Sequence, residues 1–60
     1  MCESDVYRER NGKRELILKD ASIIEVSGDK IRVSGIFGNS KEARGRIKEI
    51  NLIKHYVLIE

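Results

Sequence analysis

A chain of 60 residues with a single cysteine cannot form an internal disulfide, and a domain of this length buries only roughly 60% of the surface its unfolded form exposes. Charged residues make up 37% and hydrophobic ones 40%, which excludes a disordered polar tail, while a net charge of +2 is too weak a bias to indicate nucleic acid by itself. No apolar run approaches the about 20 residues that cross a bilayer, and none precedes Cys2 as a leader, so a cytoplasmic protein with a reduced thiol is expected.

The first predicted strand holds Val6 and Tyr7 and ends at Asn11-Gly12, a dipeptide suited to a two-residue hairpin turn. Over 14–19, Leu16 and Leu18 share one face against Glu15, Ile17 and Lys19, the period of two that marks a strand. A third strand is predicted over 21–27, carrying Ile23, Ile24 and Val26, and Gly28-Asp29 turns it into a fourth over 30–37. There Ile31 and Val33 alternate with Lys30, Arg32 and Ser34.

After a turn at Gly38-Asn39, the segment 41–50 sets Ala43, Gly45 and Ile47 against Arg44, Arg46 and Lys48, and Gly45 marks a bulge or sharp bend. The last strand, over 54–60, carries Tyr56, Val57, Leu58 and Ile59 and is apolar on both faces. Six short strands, without proline and without room for a crossover helix, predict an all-β fold. Its form is a small antiparallel meander of SH3 or Sm size, curled into a β-barrel and spanning residues 1–60 as one domain. An apolar final strand left unpaired invites association, which makes a two-fold homodimer the expected assembly.

The chemically informative residue is Cys2. Removal of Met1 exposes an α-amine beside the thiolate, and the two donors, with the backbone amide of Glu3 as a third, lie in one plane. Nitrogen and thiolate donors in a plane suit Ni(II) or Cu(II), whereas Zn(II) favours a tetrahedron and hard cations avoid sulfur. Thiolate tends to reduce cupric ion, which favours Ni(II). One chain leaves such a site incomplete, and two copies of Cys2 on a dimer axis would complete it. The pattern permits this site without requiring it, since a lone cysteine is more often a small buried hydrophobe.

The order of motifs carries a resemblance that does not rest on composition. Met1-Cys2-Glu3-Ser4 with Val6-Tyr7, the Asn11-Gly12 turn, Gly28-Asp29-Lys30-Ile31, Ile36-Phe37-Gly38 and a closing His55-Tyr56-Val57-Leu58 resemble, end to end, the CooT-type nickel-binding accessory proteins of carbon monoxide dehydrogenase. The resemblance implies a β-barrel homodimer that binds Ni(II) through Cys2, with Glu3 contributing its backbone amide. It also implies a role in nickel insertion, with the dehydrogenase or its maturation proteins as partners. Parts of that family have also been labelled predicted RNA-binding proteins.

The remaining candidates are weaker. His55, the sole histidine, lies far along the chain from Cys2 and reads as a structural residue unless the fold brings the two together. A basic stripe of Arg32, Arg44, Arg46 and Lys48 offers an alternative function in RNA binding. Tyr7, Phe37 and Tyr56 are the only aromatic residues and form no spaced pair on which bases could stack, so a solvated face is the simpler reading. Asp5, Asp20 and Glu25 share no predictable pocket, and the glycines form no phosphate loop. The sequence therefore predicts a binding protein and not an enzyme.

Overall fold

The computed structural model describes residues 3–60. Six strands form one sheet: β1 (Ser4–Arg10), β2 (Lys13–Ser27), β3 (Lys30–Gly35), β4 (Ser40–Arg44), β5 (Ile47–Asn51) and β6 (Tyr56–Ile59). Their spatial order is β4-β3-β2-β1-β6-β5, and every pairing is antiparallel except that of β1 with β6.

The expected turns are present. Asn11 and Gly12 both adopt positive φ, 53° and 77°, the geometry whose twist matches a tight hairpin. Strand division differs from the sequence expectation at two places. The stretches predicted as separate strands over 14–19 and 21–27 are one bent strand, β2, in which Asp20 takes φ 56°. Both neighbours of β2 shift register at this bend, between Ser4 and Val6 on one side and between Ala21 and Ile23 on the other. The first half of β2 therefore serves β1 and the second half serves β3.

Conversely, the single strand predicted over 41–50 is divided at Gly45, the residue that marked a bend. Its φ is 140°, and a Cβ built there would lie 2.2 Å from the Glu60 carbonyl oxygen, so only glycine fits without displacing main chain. The Gly45 N–H also donates to the Asp29 carbonyl at 2.8 Å, which ties the bend to the β2–β3 turn.

The meander expectation fails at the last strand. β6 lies between β1 and β5 instead of at an edge, pairing in parallel with β1 from Asp5–Tyr56 to Arg8–Ile59. Its apolar character on both faces follows: Val57 and Ile59 join the core, while Leu58, 1% exposed, stands in register with Tyr7 on the other face. The unpaired edge invoked to predict a dimer is thus satisfied within the chain. The two real edges, β4 and β5, do not pair with each other, so the backbone ladder is an open sheet and not a closed barrel. Arg8 reaches across the open side, donating to the Arg44 carbonyl at 2.5 Å and the Glu60 carbonyl at 3.3 Å.

The core consists of Val6, Leu18, Ala21, Ile31, Val33, Val57 and Ile59, with Ile17, Ile24 and Ile47 packed against it. Each fully buried aliphatic side chain contributes about 1.5–3 kcal/mol through removal from water. Among the described residues no buried side-chain polar atom lacks a partner, so the small core carries no uncompensated polar cost.

Candidate functional site

Cys2 lies outside the described residues, but the place from which the chain reaches it is well defined. Glu3 is half-buried, and β1 begins with Ser4 in register with Ala21 at the bend of β2. Asp5 is the hub of this end. Its N–H donates to the His55 carbonyl at 3.0 Å, and its carboxylate Oδ1 accepts the Asp20 N–H at 3.0 Å. The Asp20 carbonyl in turn accepts the Ile36 N–H at 3.3 Å. The start of β1 is thereby tied to the β2 bend, the β3–β4 turn and the β5–β6 turn.

Those two turns carry apolar side chains outward. Phe37 is 85% exposed and Ile53 89%, and Ile36 and Leu52 beside them are also exposed. Neither turn is a loose loop. In the first, the Gly35 N–H donates to the Asn39 carbonyl at 2.7 Å and the Gly38 N–H to the Gly35 carbonyl at 3.2 Å. In the second, Asn51 Oδ1 accepts from the N–H groups of Ile53 and Lys54, an Asx arrangement that fixes the turn. Large apolar residues held in water by ordered turns mark an interaction surface more strongly than the same residues scattered singly.

The fold brings His55 close to the chain start. Far apart in sequence, its main chain and that of Asp5 are hydrogen-bonded, a consequence of the parallel β1–β6 pairing. Among the described residues no group of three or more His, Cys, Asp and Glu side chains could hold a metal ion. Nor is any helix there long and apolar enough to cross a membrane.

The basic stripe is dispersed over β3, β4, β5 and the β4–β5 connection, and it is engaged. Arg32 faces Glu42 at 3.8 Å, Arg44 meets Asp29 at 3.2 Å, Arg46 reaches Glu60 at 4.0 Å and Lys48 donates to Glu9 at 2.8 Å. Glu9 also faces Arg14 at 3.8 Å, whose guanidinium lies over the Tyr56 ring. The hydrogen bond from Lys48 holds the Glu9 carboxyl below the usual value, and Glu9 in return raises Lys48. A cluster passed over in the sequence reading sits at the β1–β2 hairpin, where Arg8, Arg10, Lys13 and Arg14 surround a recess. Its signal was legible: a two-residue turn necessarily sets Arg10 opposite Lys13.

Comparison with known proteins agrees with this architecture. An uncharacterized protein of Methanocaldococcus jannaschii is 40% identical over all 60 residues, which cover 98% of that protein. Another, from Methanothermobacter thermautotrophicus, is also 40% identical across the whole chain and 89% of its own length. A crystal structure described as a candidate CooT from Carboxydothermus hydrogenoformans superposes with a TM-score of 0.90 at 26% identity, covering 97% of this chain and 94% of the other. The family model for the CO dehydrogenase accessory protein CooT matches residues 1–60, and the chain belongs to the CooT family.

Proposed function

We propose that this protein is a nickel-binding accessory protein that assists nickel delivery to carbon monoxide dehydrogenase, taking Ni(II) as its cargo through the Cys2 thiolate. Family membership over residues 1–60 is the observation that carries the reading, because the family is defined as an accessory to that enzyme. The chemistry of the donors agrees: thiolate, backbone amide of Glu3 and, after loss of Met1, an α-amine form a nitrogen and sulfur set that Ni(II) accepts in a plane. The described residues offer no competing cluster. A second copy supplies the missing sulfur in a homodimer with both Cys2 residues at its axis, and the exposed apolar turns beside the start of β1 are the surface on which two copies meet.

The test is a titration of the processed protein with Ni(II), followed by near-ultraviolet charge transfer from thiolate and by native mass spectrometry. Wild-type protein should develop the absorption band and carry one nickel per dimer, and Cys2→Ser should lose both while keeping its β circular dichroism. Equal nickel affinity in Cys2→Ser would overturn the assignment.

A further inference from the structure

We propose that the recess at the tip of the β1–β2 hairpin is a docking site for an acidic polypeptide segment, at the opposite end of β1 from the chain start. The recess has a volume of about 470 Å³ and is lined by Arg8, Arg10, Asn11, Lys13, Arg14 and Glu15. Arg10 and Lys13 stand directly opposite each other across the Asn11-Gly12 turn. Like charges at such a position destabilise a hairpin, and a carboxylate bound between them would reverse the sign of that interaction.

Arg14, Arg32, Arg44, Arg46 and Lys48 each face a carboxylate, whereas Arg10, Lys13, Lys19, Lys30, Lys41 and Lys54 have none among the described residues. Of these six, Arg10 and Lys13 are the two that stand opposite each other across a strand pair. Arg8, two residues back along β1, also lines the recess while its guanidinium donates to the Arg44 and Glu60 carbonyls.

The lining favours carboxylates on a peptide over a nucleic acid. No aromatic side chain borders the recess, so unstacked bases would find no platform. Glu15, in register with Arg8, interrupts the positive field that a continuous phosphate backbone requires. A segment with separated Asp or Glu side chains can instead place its charges on Arg10 and Lys13 and avoid Glu15. Six residues along β1, at about 3.3 Å per residue, separate this tip from the Ser4 end by about 20 Å. A partner held here leaves the chain start unobstructed, and the site does not depend on nickel.

The experiment is fluorescence anisotropy of a labelled hexaglutamate peptide titrated with the full chain. Saturable binding is expected, weakening about tenfold as ionic strength rises from about 0.02 to about 0.2 M. Arg10→Glu combined with Lys13→Glu should lose about tenfold or more in affinity. The same charge change at two exposed lysines outside the recess, Lys41→Glu with Lys54→Glu, should retain wild-type affinity. Where the reversed pair fails to fold, Arg10→Gln with Lys13→Gln asks the same question. Equal losses in the two double variants, absence of saturable binding, or tighter binding of a uridine hexanucleotide than of the peptide would overturn the proposal.

Discussion

Glu9 shows how a single half-buried carboxylate can link distant strands. It sits on β1, yet it accepts a hydrogen bond from Lys48 of β5 at 2.8 Å and faces Arg14 of β2 at 3.8 Å. Because the folded state lowers the Glu9 pKa, its stabilisation is present above the ordinary value of 4.5 and is lost as pH falls through the lowered one. Lys48 is raised, so its contribution holds below 10.5 and is lost only as pH climbs through the raised value. Lys48→Met should therefore melt lower than wild type at about pH 6, and the gap should narrow as pH falls below 4.5 and through the lowered Glu9 value. Thermal melts across this pH range in low salt check this; the gap should also shrink at high salt, since the pair is exposed.

At the scale of elements, the instructive feature is the bend of β2. Turn dipeptides and alternation made most strands legible, since Asn11-Gly12 and Gly28-Asp29 are local signals and Ile31 and Val33 show the period of two. What was not legible depends on contacts distant in sequence. Asp20 reads locally as a strand breaker, but the Asp5 carboxylate satisfies its N–H and lets the strand continue through a positive φ. Likewise, no local pattern announces that β6 will lie parallel to β1, and this pairing is what brings His55 against Asp5. The expectation for Cys2 rests on a single residue that lies outside the described ones, while the tethering of the start of β1 next to it could not be read from local pattern. Asp5→Ala should cost about 1 kcal/mol by leaving the Asp20 N–H without its acceptor. Hydrogen exchange should report the loss locally, with the Asp20 and Ile36 amides losing protection before Val33 in the core, and Asp5→Asn, which keeps the acceptor oxygen, should restore it.

For the whole molecule, a 60-residue chain with a seven-residue core cluster and no internal disulfide has little stability to spare. It nevertheless leaves Phe37 85% and Ile53 89% exposed on two turns tied to the start of β1. Burying these side chains against a second copy would add apolar area that the monomer cannot supply, and would draw two chain starts toward a common axis. The edge strands are poorer interfaces, because β4 and β5 carry Lys41, Glu42, Lys48 and Glu49, charges that discourage further strand pairing. Phe37→Ser with Ile53→Ser should therefore convert a particle of twice 6.9 kDa into one of 6.9 kDa in sedimentation velocity. The wild-type melting temperature should rise with protein concentration while that of the double variant does not, because association stabilises only the form that dimerises. If the double variant keeps the doubled mass, the apolar turns are not the dimer surface, and the Cys2 residues would have to meet through another face.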